Sequence, residues 1–270
     1  MKVKLTVAYD GANYVGWQKQ PAFHGQSVEE TLAKALARLL DMRQIVIHAS
    51  GRTDAGVHAI GQVVHFEIEK PFPLAKLART LNHLLPADIR VRDAVAVRAD
   101  FHARKSASAK TYRYTISRGA DAEQQLFCNR YCWPLARPLD IPAMEQAAAE
   151  FLGRHNFRAF AAMGAPVKSF EREMYALNIY EPRFTPALPW QEIAEPLCLE
   201  VRGSGFLYKM VRNITARLVQ VGLGQLQAAD IRQMLAGLPY ASVPPAPPQG
   251  LMLVEVEYPP ELLLDKSGWE

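Results

Sequence analysis

One order of predicted elements, strand–helix–strand–strand–helix–strand, occurs twice in this chain of 270 residues, and it constrains the fold more than any other feature. In the first half, apolar periodicity predicts strands at 3–9, 43–49, 61–68 and 89–97 and helices at 27–40 and 74–85. In the second half, it predicts strands at 111–117, 173–180, 196–202 and 251–258 and helices at 141–152, 206–221 and 228–236. This order is the βαββαβ unit of ferredoxin-like folds.

The sequence therefore predicts an α+β protein of two ferredoxin-like halves with mainly antiparallel sheets. A cleft between such halves is the default place for a site. The predicted N-terminal half spans residues 1–103, the C-terminal half spans 108–260, and 261–270 form a tail. Two modest domains agree with the length, since a domain takes roughly 150 residues.

The composition predicts an ordinary globular chain. Hydrophobic residues make up 49% and charged residues 21%, which excludes a disordered or collagen-like protein. No apolar run approaches the roughly 18 residues that span a bilayer, and the N-terminal sequence MKVKLTVAYDG alternates like a strand rather than a signal peptide. We therefore expect a cytoplasmic protein that does not bind a membrane.

The cysteines predict neither a disulfide framework nor a metal site. There are three of them, Cys128, Cys132 and Cys198. Only the first two are close in sequence, and no second pair completes a zinc site. We therefore predict that the protein holds no structural metal.

The segment SGRTDAGVHAIGQVVHF at 50–66 is the strongest candidate for chemistry. Two glycines suit a sharp turn or a close approach to a ligand. The residues alone leave three interpretations open, namely an Asx turn at Asp54, an acid–base pair of Asp54 with His58, and a metal held by His48, His58 and His65. The histidine spacing matches no standard catalytic zinc motif, so residues of the core or the surface are the simpler interpretation.

GRTDAGVHA at 51–59 resembles the signature of the tRNA pseudouridine synthase A family. Further segments resemble that family in the same order: YDGANYVGWQKQP at 9–21, GQVVHF at 61–66, LNHLLPADIRV at 81–91, DFHARKSASAKTYRY at 100–114, GSGFLYKMVRNI at 203–214 and GLMLVEVEY at 250–258. Together these segments cover most of the chain.

The resemblance implies the pseudouridine synthase fold and an isomerase, an intramolecular transferase that acts on uridines 38, 39 and 40 of the tRNA anticodon stem-loop. The reaction detaches uracil from ribose at nitrogen and rejoins it through carbon 5. Because it involves no redox change, group donor or net water, we expect no cofactor. The resemblance also implies a homodimer.

By this resemblance Asp54 is the nucleophile, and a carboxylate can serve in that role. Arg212 is the implied cation that keeps this carboxylate ionised, although periodicity alone would make it an exposed arginine on a helix. The resemblance implies that Tyr112 stacks on the uracil. Two alternatives remain for its hydroxyl, namely that it accepts a proton during the reaction or that the ring only stacks. Arg52 holds the RNA with the target base turned out, or contacts a phosphate, and Leu251 packs against the base while being a core residue on any interpretation.

Two basic clusters predict where RNA binds. The first comprises Arg98, Arg104, Lys105, Lys110, Arg113 and Arg118, and the second comprises Arg202, Lys209, Arg212 and Arg217. Aromatic residues interleave with both, a mixture that suits phosphate contacts and base stacking. A solvated basic face is the alternative for these clusters. The alternative function is a non-catalytic RNA-binding protein built from paired ferredoxin-like modules.

Overall fold

A computed structural model describes residues 1–20, 25–69, 72–119, 126, 129–162, 167–182 and 195–264. The chain divides into two compact units. The first comprises Met1–Lys110 together with the chain from Leu253, and the second comprises Thr111–Met252. Cys128 and positions 265–270 of the predicted tail lie outside the described residues.

The first unit is a helix-backed antiparallel sheet. Its elements are β1 (Lys2–Tyr9), α1 (Val28–Leu39), β2 (His48–Ala49), β3 (His58–Glu67), α2 (Leu74–Leu84), β4 (Ile89–Ala96) and most of β10 (Leu251–Glu257). Strand β1 pairs antiparallel with both β3 and β4, and β2 pairs antiparallel with β3. The order β4-β1-β3-β2 is that of a ferredoxin-like unit, as predicted, and β10 is a further neighbour of β3.

Local sequence accounts for most of these elements. Val3, Leu5 and Val7 form the buried face of β1. The side-chain oxygen of Ser27 accepts a hydrogen bond from the Glu30 N–H and so caps α1 where the sequence predicts its start. Helix α1 then buries one apolar stripe and contacts α2.

Two strands of the first unit differ from prediction. The predicted strand 43–49 is reduced to β2, because its apolar alternation reflects burial, with Ile47 buried and Val46 exposed, rather than ladder pairing. Strand β3 starts three residues earlier than predicted and runs through Gly61. A Cβ at Gly61 would lie 2.1 Å from the Val254 carbonyl oxygen, so glycine is what allows β10 to lie beside β3.

The second unit contains further strands and α-helices among the described residues. These are β5 (Ala109–Arg118), β6 (Trp133–Leu135), α3 (Ile141–Ala149), β7 (Gly153–Asn156), β8 (Glu171–Tyr180), β9 (Pro196–Gly203), α4 (Met210–Gly222) and α5 (Ala228–Leu235). The sheet order is β5-β9-β8-β7, with antiparallel β8–β9 and β7–β8 pairs. Strand β6 pairs with β5 in parallel, and α3 contacts α4, α5 and β8.

The mixed α+β class with mainly antiparallel pairing is confirmed. The predicted division at 1–103, 108–260 and 261–270 places the last strand with the C-terminal half. The compact units instead group the chain from Leu253 with the first unit, where β10 lies beside β3. Within the described residues, no helix has the length and apolar character needed to cross a membrane.

Candidate active site

The loop between β2 and β3 carries Asp54 at a turn that is closed by backbone hydrogen bonds. The Ser50 N–H donates to the Val63 carbonyl at 2.7 Å as the loop leaves the sheet, and the Val57 N–H donates to the Asp54 carbonyl at 3.2 Å before it returns. Thr53 is buried, Asp54 is half-buried and Arg52 is exposed. The loop therefore points the threonine inward and leaves the aspartate accessible to a ligand.

Polar side chains tie the start of this loop to the sheet. The buried Gln62 accepts a hydrogen bond from the Ser50 hydroxyl at 2.8 Å and donates to the Gly51 carbonyl at 3.0 Å. The Lys110 ammonium donates to the Ser50 carbonyl at 2.6 Å, so this member of the first basic cluster reaches the loop backbone. These contacts fix the chain that precedes Asp54.

A buried hydroxyl pair holds the residue next to Asp54. The Tyr9 phenol and the Thr53 hydroxyl are 2.7 Å apart, and both side chains are buried. Burial raises the pKa of Tyr9 to about 12, so the phenol keeps its proton at neutral pH. The sequence does not predict this pair. Its only signal in the sequence is a tyrosine at the last buried position of β1.

His58 holds the turn that follows β1. Its Nδ1 lies 3.1 Å from the Gly11 nitrogen, which donates to it, and 3.1 Å from a carboxylate oxygen of Asp10. The ring is almost completely buried. These contacts give His58 a structural role on β3, which is the simpler of the interpretations that the sequence left open.

Three imidazoles other than His58 lie against one another and are called here the histidine stack; its members differ from the three histidines that the metal interpretation grouped. The ring centroids of His48 and His65 are 4.9 Å apart, and those of His65 and His102 are 4.8 Å apart. The third ring is thus His102 and not His58. Across the described residues, no group of three or more His, Cys, Asp or Glu side chains is placed to hold a metal ion.

Arg212, on α4 in the second unit, is buried and not exposed as periodicity alone would suggest. Its side chain is 8% exposed, and its Nε–H donates to the Ala246 carbonyl at 2.6 Å. The Ala246 N–H in turn donates to the Arg212 carbonyl at 3.2 Å. A hydrogen bond of 2.7 Å from the Tyr114 hydroxyl to the Pro247 carbonyl holds the same segment. The orientation of the guanidinium is therefore set by its surroundings.

Tyr112 and Leu251 also lie in the second unit. The Tyr112 ring on β5 packs edge-to-face against Phe206, with centroids 5.2 Å apart and an angle of 84° between the planes. Leu251 is buried at the start of β10, as expected of a core residue. The sequence alone does not indicate that Phe206 supports Tyr112.

The basic clusters are less uniformly exposed than their sequence suggests. Arg98, Arg113 and Arg118 form ion pairs with Asp100, Glu200 and Glu181, at 3.1, 2.8 and 2.6 Å. Arg217 is buried and donates to Gln220 and to the Ala241 carbonyl. The exposed cations of the first cluster include Arg104 and Lys105, in the turn that precedes β5.

Comparison with known proteins identifies relatives along nearly the whole chain. A family model described as tRNA pseudouridine synthase matches residues 5–104 and 147–259, which include Asp54 and Arg212 but not Tyr112. The tRNA pseudouridine synthase A of Moorella thermoacetica is 43% identical over 257 residues, covering 95% of this chain and 99% of that protein.

Two further relatives carry the same name. The protein of Syntrophotalea carbinolica is 43% identical over 260 residues, covering 96% of this chain and 97% of the relative. The protein of Bacillus pumilus is 40% identical over 260 residues, covering 96% of this chain and 99% of the relative. These similarities extend over both compact units.

Proposed function

The chain belongs to the tRNA pseudouridine synthase family, and on that basis we propose that it isomerises uridine to pseudouridine at positions 38, 39 and 40 of the tRNA anticodon stem-loop. One observation carries the proposal, namely 43% identity to proteins named tRNA pseudouridine synthase A over 95% and 96% of the chain. Because this identity includes both units, the proposal concerns the activity of the entire chain.

Asp54 is the proposed nucleophile. In the reaction, the bond between N1 of uracil and C1′ of ribose breaks and a bond between C5 and C1′ forms. C5 loses a proton and N1 gains one, so the product is an isomer of the substrate. During this exchange the Asp54 carboxylate bonds transiently to the nucleotide and leaves again. Its half-buried position on a loop tied to the sheet supports this role.

Arg212 is the proposed ion-pair partner of Asp54. Partial burial penalises the charged form of a carboxylate, and a nearby guanidinium offsets that penalty. The support from this chain is that Arg212 is buried and that its Nε is held by the Ala246 carbonyl. A guanidinium fixed in this way loses little conformational freedom when it pairs with a carboxylate.

The remaining proposed roles concern the substrate. Tyr112 stacks on the uracil and takes part in proton transfer, Leu251 packs against the base, and Arg52 holds the RNA with the target nucleotide turned out. Unstacked bases are commonly held between aromatic or apolar side chains, which suits the first two. Arg52 lies two residues before Asp54 and its side chain is exposed. A residue that contacts an extruded nucleotide must be accessible in this way.

The chemistry as written needs no metal and no organic cofactor, and we propose that the enzyme uses none. We further propose that it works as a cytoplasmic homodimer. Turnover in the presence of a chelator, with a refolded tRNA control, tests the first proposal. Light scattering of the purified protein tests the oligomeric state.

The decisive experiment is release of tritium from tRNA labelled at uridine C5, because that hydrogen leaves whenever pseudouridine forms. We expect release with the unmodified protein and a loss of at least about 10³-fold in Asp54→Asn, which keeps the shape but not the charge. Asp93→Asn, at a half-buried carboxylate on β4, is the matched control and should retain activity.

Affinity for tRNA should change little in Asp54→Asn, since phosphate contacts dominate binding. Residual activity within tenfold of the unmodified protein would falsify the nucleophile assignment. Labelled tRNA that is bound by the unmodified protein without any release would instead support the non-catalytic RNA-binding alternative.

A further inference from the structure

A glycine on another segment of the first unit packs directly against the backbone of Asp54. Gly16 has a φ of +105°, and a Cβ placed on it would lie 2.7 Å from the Thr53 carbonyl oxygen. The same atom would lie 3.1 Å from the Asp54 carbonyl carbon and from the Ala55 nitrogen. Only a residue without a side chain allows this approach.

The neighbouring residue adds a hydrogen bond to this contact. The Trp17 N–H donates to the Thr53 carbonyl at 3.0 Å. The peptide that joins Thr53 to Asp54 is therefore held from one side by the steric fit of Gly16 and by the Trp17 donor. Displacement of either group would move the backbone that carries the Asp54 side chain.

The Gly16–Trp17 segment is in turn fixed to the first turn of α1. The Val28 N–H donates to the Gly16 carbonyl at 3.2 Å, and the Glu29 N–H donates to the Trp17 carbonyl at 2.9 Å. These are N–H groups that have no partner within the helix itself. A regular element thus supports the segment that contacts the Asp54 peptide, so the support is more rigid than a free loop would be.

Tyr9 restrains the same peptide from the sheet. Its hydroxyl bonds the Thr53 side chain at 2.7 Å inside the core, and β1 pairs with both β3 and β4. The Thr53 backbone and its side chain are therefore held by two different segments, 16–17 and β1. Neither of these segments supplies a group that the proposed chemistry uses.

We propose that Gly16 and Tyr9 are positioning residues for Asp54, which they hold through the Thr53–Asp54 peptide. The proposal rests on the function proposed above, in which Asp54 is the nucleophile. A shift of about 1 Å in a reacting group can lower a rate by roughly 10²-fold, so the geometry of this peptide should govern the rate of the chemical step rather than tRNA affinity.

Gly16→Ala is the first test. The added methyl must push the Thr53 carbonyl away, and we expect the single-turnover rate constant at saturating enzyme to fall by about tenfold or more. We expect tRNA affinity to stay within about twofold, because the substitution removes no phosphate contact. The single-turnover rate constant is independent of the fraction of inactive protein, so it distinguishes displacement of Asp54 from partial unfolding.

Gly237→Ala is the matched control. Gly237 also has a positive φ, +83°, but a Cβ there would meet no atom within 4 Å. Both variants place alanine in a left-handed backbone conformation, and only Gly16→Ala adds the contact with the Asp54 peptide. Equal rate constants in Gly16→Ala and Gly237→Ala would overturn the proposal for Gly16.

Tyr9→Phe tests the second contact and remains informative if Gly16→Ala does not fold. It keeps the ring and removes the bond to Thr53, and we expect a three- to tenfold slower single turnover with unchanged tRNA affinity. Thr53→Ser keeps the hydroxyl and should be close to normal, whereas Thr53→Val should be slowed no more than Tyr9→Phe, because the Tyr9 hydroxyl also bonds the Gln62 side chain. The double variant Tyr9→Phe/Thr53→Val should be no slower than Tyr9→Phe alone, since the bond between Tyr9 and Thr53 is already lost in that variant.

A Tyr9→Phe rate constant equal to that of the unmodified protein would overturn the proposal for Tyr9, as would additive losses in the double variant. Asp54→Asn in the same assay separates these results from failure of the proposed function. Positioning is wrong, with the function intact, if Asp54→Asn is inactive while both Gly16→Ala and Tyr9→Phe turn over normally. An active Asp54→Asn overturns the nucleophile assignment and the positioning proposal with it.

Discussion

Tyr9 and Tyr112 are the same residue type in different surroundings, and the surroundings give each tyrosine a different role. The phenol of Tyr9 is buried against Thr53, and burial raises its pKa to about 12, so it serves as a permanent hydrogen-bond donor or acceptor. Tyr112 is oriented by the edge of Phe206 instead. An aromatic pair of this geometry orients a ring through its face and its edge.

Replacement of Tyr112 separates stacking from proton transfer. We expect Tyr112→Phe to lower the single-turnover rate constant by about 10²–10⁴ while tRNA affinity is unchanged, because a general acid or base contributes that much to a rate. Tyr112→Leu should in addition weaken productive binding, since stacking on a base is worth about 1–3 kcal/mol. The measurement is tritium release at saturating enzyme.

Tyr180→Phe is the control for this pair of variants. It removes a hydroxyl of the second unit that bonds the Glu200 carboxylate at 3.3 Å, and it should leave the rate constant unchanged. If Tyr112→Phe turns over like the unmodified protein, the proton-transfer role is excluded and only the stacking role remains.

The proposed site residues lie in contiguous motifs of the sequence, whereas the contacts that hold them join residues far apart in the chain and left no signal in it. Asp54 and Arg52 belong to one nine-residue segment, and the resemblance supplied their roles. The buried Arg212 bonds the Ala246 carbonyl, 34 residues away, and nothing in the periodicity of α4 indicates this contact. The Tyr9–Thr53 bond likewise joins residues 44 apart, a separation at which sequence patterns carry no signal.

At the level of elements, the histidine stack joins β2 and β3 to the turn that precedes β5. The Ala103 N–H donates to Nδ1 of His65 at 3.1 Å, which requires that nitrogen to be unprotonated. Burial, together with the charges of His102, His48 and Lys2, lowers the pKa of His65 to about 4, and Glu67 opposes this shift. The neutral ring is therefore the form that holds the turn in place.

This stack predicts a loss of stability in mild acid. The unfolded chain binds a proton at His65 near the ordinary pKa of about 6.5, and the folded chain binds it only near 4, so stability falls as the pH drops through this window. We expect the free energy of unfolding to be about 1 kcal/mol lower at pH 5 than at pH 7 because of this residue. This value includes a reduction because the His65 ring is partly hydrated.

Urea denaturation at pH 7 and pH 5 measures this loss. His65→Gln should remove about 1 kcal/mol of the difference between the two pH values. His83→Gln, at an exposed histidine on α2, is the control and should preserve the difference. An identical pH dependence in the unmodified protein and in His65→Gln would show that the stack does not couple to folding.

The sequence predicted well the elements in which an apolar pattern is long enough to be recognised. In a helix the pattern must recur over two or more turns, and in a strand it must extend over four or more positions. Helix α1 and strand β1 meet this condition, and both were located to within a residue or two. Strands β6 and β7 span three and four residues, too few for an alternation to be recognised, and neither was predicted. Their pairing depends on the neighbouring strands rather than on their own sequence.

At the level of the whole molecule, the net charge of +4 conceals how the cations are used. Arg212 and Arg217 are buried, whereas Arg98, Arg113 and Arg118 are paired with carboxylates. The pair of Arg98 with Asp100 is exposed, and exposed ion pairs are worth only about 0–1 kcal/mol, so a phosphate can replace this carboxylate at little cost. The exposed Arg104 and Lys105 need no such exchange to contact RNA.

This distribution of cations predicts that tRNA binding weakens steeply as the salt concentration rises. Part of this dependence should come from Arg104 and Lys105, in the turn that precedes β5. A phosphate contact contributes about −0.7 to the slope of log affinity against log salt concentration on a single strand, and about four contacts give a slope near −3. Arg104→Ala/Lys105→Ala should reduce the steepness of the slope by about 1.4, since it removes two contacts.

Lys76→Ala/Arg79→Ala removes the same charge from exposed positions on α2 and should leave the slope unchanged. Binding is measured over a series of salt concentrations in the Asp54→Asn background, where we expect turnover to be at least about 10³-fold slower. Equal slopes for the two double variants would assign the effect to net charge and would exclude phosphate contacts from the turn that precedes β5.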